Sequence, residues 1–517
     1  IAGPARCFIQ SGLLRKFLNY KGTVRESLPP GDMLTGIQRD ALSLVQEGYF
    51  NMLKVYSALG KMVCMLTFQA TAPYVFGGAQ DWKSFFSLFV IPVVLIIFLR
   101  CREFSTSKAL QERNEALNDF TSHISSTITN YHLVIDYSLR NHCEKACIHN
   151  QRRYGSANRR AKQKVENNEY FCKWIQSGII AIWILYGGKE VIEGRLTLGL
   201  FVTTLRLFEA LGGAFLELYC LAVQMMNTFP ALENVSTLLN LPTDVPQRYR
   251  LKRAQREQAR KSREALSQKV RTSGVHAVPI DMMPISIHFT HPFRFDGKPD
   301  MLNFRGKADI HQGQVVAVVG PLGCGKATFL RLIVGSVLPA EDSESPIFVP
   351  SHLRVANVAE DPLFFAGTLY ENLTFGMNTN NADASRERAK SICRRLTKSF
   401  TIADYMDLEV KKSWQDVFSG AQCKLLSITR ALVHNVEVMC IHKPLSRLTH
   451  DDGEHVMHTL HMHVDDKGLE LTSDPGARRP RTVILSAGSD RAVNEAHNVV
   501  TIDPMSGMKL LIPDAEH

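Results

Sequence analysis

"QVVAVVGPLGCGKATFLRLIV", Gln314–Val334, decides the fold of this 517-residue chain. Val315–Val319 is an unbroken apolar run, the pattern of a strand buried on both faces. It leads into the glycine-rich turn Gly320–Gly325 and then an apolar helix, "FLRLIV". A strand, a Gly-rich loop closing on Gly-Lys, and a helix make a P-loop, whose backbone N–H groups and helix N-terminus cradle phosphate. Gly320, Gly323 and Gly325 permit the turns, Lys326 adds a positive charge, and Thr328 stands two residues further on. The C-terminal part is therefore expected to be an α/β P-loop NTPase-like domain.

Upstream the chain changes character. Leu53–Phe76 and Trp82–Leu99 are largely apolar and read as a transmembrane hairpin with a Gly-Gly-Ala-Gln turn. Phe171–Tyr186 and Leu198–Met226 read as a second. The runs carry Lys54, Lys61, Arg206, Glu209 and Glu217, so those charges need partners or a wet cleft. Pro92 suits a membrane helix better than a soluble one. Between the hairpins, residues 100–170 are polar and helix-like, as a two-helix stalk would be. In the stalk, His142, Cys143, Cys147 and His149 could hold zinc, but the plainer reading is side chains on an ordinary helix, and no metal site is expected. The segment "RYRLKRAQREQARKSREALSQKVR" is densely basic, suited to a solvated face, anionic headgroups or an acidic protein surface. No aromatic interleaving accompanies it, which argues against nucleic acid as a partner. The expected division is a membrane domain over 1–245, a basic linker over 246–284 and a cassette over 285–517.

The net charge of +10 and the eleven scattered cysteines fit a membrane protein whose soluble part lies in a reducing compartment. Residue 1 is Ile, which suggests a chain processed or incomplete at its start. The first 25 residues hold Arg6, Arg15, Lys16, Lys21 and Arg25 and no acid, as a transit-peptide remnant would. The expected location is the mitochondrial inner membrane, with the cassette in the matrix.

Two further stretches join the P-loop. "FSGAQ", 418–422, is followed by "ITRAL", and "VEVMCIHKPLSRL", 436–448, reads as a buried strand and a tight turn. With these the chain resembles the ATP-binding-cassette family, of the exporter type with membrane helices ahead of the cassette. FSGAQ looks like the family's Leu-Ser-Gly-Gly-Gln signature, with Ser419, Gly420 and Gln422 kept. The membrane part resembles an exporter half from its first intracellular loop onward, so the first two of six membrane helices would fall before residue 1.

The resemblance also shows where chemistry is lost. His442 stands where the family has the Asp that helps hold Mg²⁺, and Lys443 where it has the Glu that activates water. Ala327 replaces the hydroxyl that binds Mg²⁺, Glu360 the usual Gln, Thr449 the usual Asp and Gly488 the switch His. His291 falls at the aromatic that stacks on adenine. Mg²⁺ needs hard oxygen ligands, and hydrolysis needs a base and metal-neutralised phosphate charge. The site is therefore expected to be a pseudo-ATPase: no hydrolysis and no Mg²⁺, with ATP or another nucleotide held by Gly320, Gly323, Gly325, Lys326, Thr328 and His291. Lys443 would sit near the phosphates as a partial stand-in for the metal's charge. Two functions are compatible with this. One is a structural, accessory subunit of a larger membrane complex. The other is the non-hydrolysing half of a heterodimeric exporter, paired with an active half-transporter.

Overall fold

A computed structural model describes residues 2–76, 82–194, 196–273, 282–294, 301–339, 347–378, 384–398, 400–471, 474, 476, 478–488 and 490–511. The chain divides into two compact units, Ile1–Tyr20 with Val24–Pro242, and Lys21–Thr23 with Thr243–His517.

Among the described residues the first unit is all-helical. Its long helices are Phe50–Phe76, Trp82–Thr129, Arg140–Ile192 and Leu198–Asn227. The expected Gly-Gly-Ala-Gln turn lies outside the described residues. The middle two helices run 48 and 53 residues without interruption, so the apolar runs and the polar stalk are parts of the same rods. A single short helix, Tyr131–Asp136, joins them, which makes them antiparallel neighbours. Their register is fixed by polar pairs: Arg153 to Asp119 at 2.7 Å, and Lys164 Nζ to Ser105 Oγ at 2.9 Å. Nearer the apolar end, the buried Asn168 donates to Thr106 Oγ1 at 3.1 Å and Tyr219 Oη at 2.9 Å, and accepts from Arg102 Nε at 3.2 Å. Trp183, Phe208 and Leu211 form an apolar cluster with Met62. Gly212 lets two helices close up there: a Cβ would lie 2.3 Å from Gln176. Among the described residues, the helical stretches Arg140–Ile192 and Leu198–Asn240 are long and apolar enough to cross a membrane. Glu217 finds its partner in Lys61, 3.7 Å away, while Arg206 and Glu209 are both exposed. His142, Cys143, Cys147 and His149 sit along one helix. No group of three or more metal-ligating side chains occurs among the described residues.

Among the described residues the second unit has eleven strands: β1 Ile285–Phe289, β2 Phe293–Arg294, β3 Met301–Leu302, β4 Gly306–Ile310, β5 Val315–Val319, β6 Ile347–Phe348, β7 Val355–Val358, β8 Val438–Ile441, β9 Thr482–Ser486, β10 Asn498–Asp503 and β11 Gly507–Leu511. The main sheet has the order β11-β10-β5-β9-β8-β7, parallel except for β11. An antiparallel β4-β1-β6 sheet and a β2-β3 pair accompany it. Successive side chains on a strand face opposite ways, and both faces of the parallel sheet are covered. Val315, Ala317, Met439, Ile441, Val483 and Leu485 enter one core; Val316, Val318, Val438, Cys440 and Ile484 enter the other.

Within the linker expected over 246–284 the basic segment is helical. Val245–Ser273 is one helix belonging to the cassette unit. Its Gln247 donates to Pro339 O, and Gln255 to Ile347 O at 3.4 Å; Ala259 packs with Met283 and Phe348. Positions 247, 251, 255 and 259 recur every four residues, which puts them on one helix face. Dense charge on the other faces hid that stripe. Residues 274–281 lie outside the described residues.

Candidate functional site

Four of the five parallel strands, β5, β9, β8 and β7, end at one edge, and the loops leaving that edge carry the motifs. This is where open α/β sheets bind ligands. The P-loop follows β5. Gly323 and Gly325 have φ of 86° and 95°, a left-handed backbone that favours glycine. At Gly320 a Cβ would lie 2.3 Å from Ile502 O, and at Gly325 2.8 Å from Leu302. The helix Lys326–Val334 then starts with no side-chain cap, leaving its first N–H groups for an anion. Lys326 Nζ folds back onto the carbonyls of Gly320 and Pro321. These features suit a phosphate. Ala327 and Thr328 lie in the first turn of that helix. His291 is exposed beside β2, whose partner strand supplies the Leu302 that packs on Gly325.

After β8 comes His442, whose N–H donates to Val358 O at 2.9 Å and whose Nδ1 lies 2.8 Å from Ser486 Oγ. Lys443 adopts a left-handed backbone, φ 45°, and its N–H also donates to Ser486 Oγ at 2.8 Å. Its ammonium does not point free toward a phosphate. It donates to both oxygens of Glu360, each at 2.9 Å. The positions where an acid and an amide were expected carry a base and an acid, and the two have paired. The Lys443 hydrogen bond holds the Glu360 carboxyl below the usual range; burial pushes the His442 imidazole down. A divalent cation fits poorly here: Glu360 is engaged by Lys443, Asp361 by Arg447 at 2.7 Å, and Ala327 offers no oxygen.

Beneath this pair lies Lys424, a fully buried side chain that sequence reasoning passed over. Its Nζ donates to the carbonyls of Ala359, Glu360 and His442 at 2.9, 3.3 and 3.0 Å, tying the loop after β7 to the end of β8. Burial pulls its pKa down to about 8. Its signal was periodicity: 424, 428 and 432 share one face of the Gly420–His434 helix, and Ile428 and Leu432 are core residues.

The signature-like residues open that helix. Ser419 Oγ accepts from Gln422 N at 3.2 Å, and Gln422 Oε1 from Ser419 N at 3.0 Å, a reciprocal capping box. Ser419 and Gly420 are exposed. Thr449 caps the His450–Asp465 helix, accepting from Asp452 N at 3.3 Å. Gly488 is exposed, and a Cβ there would touch nothing within 4 Å, so the backbone has room for a side chain.

Residues 305–446 match the family model described as ABC transporter, and residues 54–215 the one described as ABC transporter transmembrane region. ATP-binding cassette sub-family C member 4 of Mus musculus is 29% identical over 146 residues, 28% of this chain and 10% of that protein. The spermidine/putrescine import ATP-binding protein PotA of Bacillus cereus is 32% identical over 149 residues, 27% of this chain and 43% of that one. The chain thus spans less than half the length of these curated relatives. A solved bacterial Atm1-family ABC exporter with ATP bound superposes with a TM-score of 0.73 at 16% identity, covering 97% of this chain and 81% of that one, a likeness of fold. The two matched regions together exceed half of the chain, and they come in the order helices first, cassette second. The chain belongs to the ATP-binding-cassette transporters, with the transmembrane region and the cassette in one chain and a fold like that of the exporter.

Proposed function

We propose that this half-transporter holds nucleotide without hydrolysing it and acts as a structural, accessory subunit of a larger membrane complex. The Glu360–Lys443 pair carries the reading. A protonated lysine has no lone pair with which to take a proton from water, and Glu360 is held as a weak base by that same lysine. ATP would supply the phosphates. Lys326 and the N–H groups of the Gly320–Gly325 turn would hold them, while Gly488 leaves the switch position without a side chain to orient water. Purified full-length chain with Mg-ATP is expected to show only background phosphate release. Magnesium-dependent turnover that disappears on Lys326→Ala would refute the reading.

A second reading, the silent half of a heterodimeric exporter, is favoured by the exposed Ser419–Gly420 cap, which is fit to meet another chain's nucleotide. The chains that co-purify separate the two: an intact cassette supports transport, and neighbours of unrelated fold support the accessory role. The net charge of +10 supports the mitochondrial inner membrane, with the cassette in the matrix. Protease protection of the cassette in isolated mitochondria, lost on opening the inner membrane, tests that placement.

A further inference from the structure

Lys443 and Glu360 are each about one-third exposed, so solvent and solutes reach the pair. A carboxylate and a phosphate are alternative partners for one ammonium group. Only the lysine side chain is free to change partner, because its backbone is fixed by the left-handed turn and the hydrogen bond to Ser486. Ser486 ends β9, the strand between β5 and β8, and the next residue, Ala487, donates to Val318 O of the P-loop's own strand at 2.9 Å. Lys443 is thus anchored one strand away from the phosphate cradle. Glu360 lies in the loop after β7 that Lys424, Arg447 and Gln415 also hold, Gln415 Nε2 donating to Pro362 O at 2.7 Å.

We propose that Glu360 is a built-in competitor for a nucleotide's terminal phosphate on Lys443. In the free cassette the carboxylate neutralises the ammonium. A nucleoside triphosphate takes its place with no divalent cation and releases Glu360 from β8. The inference rests on the nucleotide-binding reading and adds to it a counter-charge, an occupant of the site in its absence, and a loop that senses the exchange. It also links two departures that are otherwise unrelated: the acid at 360 and the base at 443 neutralise each other's charge.

The test is binding of a fluorescent ATP analogue, mant-ATP, to the detergent-solubilised full chain, in EDTA and in excess Mg²⁺. Wild type is expected to bind equally in both. Glu360→Gln frees the lysine and tightens binding about two- to fivefold, the value of a partly exposed ion pair. Lys443→Ala, and Lys443→Gln as a better-filled variant, weaken it about tenfold or more. The double variant Glu360→Gln with Lys443→Ala is expected to match Lys443→Ala alone. If Glu360→Gln tightens binding as much without the lysine as with it, simple repulsion of phosphate explains the gain and the exchange is refuted. Affinity lost in EDTA would overturn the metal-free part while leaving nucleotide binding intact. Absence of binding by wild type in both buffers would instead remove the nucleotide reading and this inference with it.

Discussion

Lys424→Met tests the interior of the site. The lysine is fully buried, and burial drags its pKa from 10.5 to about 8. A displacement of that size corresponds to roughly 3 kcal/mol against the charged form. Three carbonyls offset it, and methionine would leave all three without a donor, at about 1–3 kcal/mol each. Methionine also abolishes the burial penalty, so the net loss at pH 7 is on the order of 2–4 kcal/mol. The pH dependence is the sharper signature. The folded pKa lies below the unfolded one, so between about pH 8 and 10.5 the unfolded chain binds more protons. The lysine's contribution to stability therefore rises with pH across that window. From pH 7 to 9 the rise is about 1 kcal/mol, or roughly 2–4 °C in Tm for a cassette of this size. Melting curves of wild type and variant at both pH values isolate the effect, because other groups cancel in the difference. Equal pH slopes, or a variant that melts above wild type at pH 7, would refute this account of the buried cation.

Two other outcomes follow from the cassette. Gly320→Ala places a Cβ 2.3 Å from Ile502 O and should cost about 1–3 kcal/mol, read as a lowered Tm of the cassette; an unchanged Tm means the P-loop is looser than described. Glu437, buried, accepts from Arg354 N, Nε and Nη2 at 2.9–3.0 Å. Burial raises its pKa, but the Arg354 hydrogen bonds outweigh that and hold it below the usual value. Its contribution is therefore present above about pH 4.5 and lost as pH falls through the lowered pKa. Glu437→Gln should lower stability at pH 7 by about 1–3 kcal/mol and converge on wild type in acid, as measured by denaturant midpoints.

The strand–loop–helix of 314–334 was legible because each local signal agreed: apolar run, turn glycines, apolar helix. The residues at the family's motif positions were equally legible, since identity at a motif position needs no geometry. What Lys443 and Glu360 do to each other was not. They are 83 residues apart in sequence, and only the adjacency of β7 and β8 brings their loops together. The contacts of the basic helix were hidden for a different reason. Charge dominates composition there, yet Gln247, Gln255 and Ala259, spaced along one face, hold it to the cassette. Lys424 escaped notice because a lysine in a helix is ordinarily a surface residue.

The stalk has a mechanical consequence. Along Trp82–Thr129 and Arg140–Ile192, the pairs Thr106–Asn168, Ser105–Lys164 and Asp119–Arg153 work like teeth on two racks, spaced at fixed phase. Deleting one residue between two teeth turns everything beyond it by about 100° and draws it in by about 1.5 Å. No side-chain adjustment restores the mesh after that. Removing seven residues from each helix at the same level, close to two full turns, costs only about 20° of phase and keeps the two racks in axial step. Length changes in this stalk should therefore be tolerated in steps of two turns and rejected in between, a comb of permitted lengths set by helix geometry rather than by any single contact.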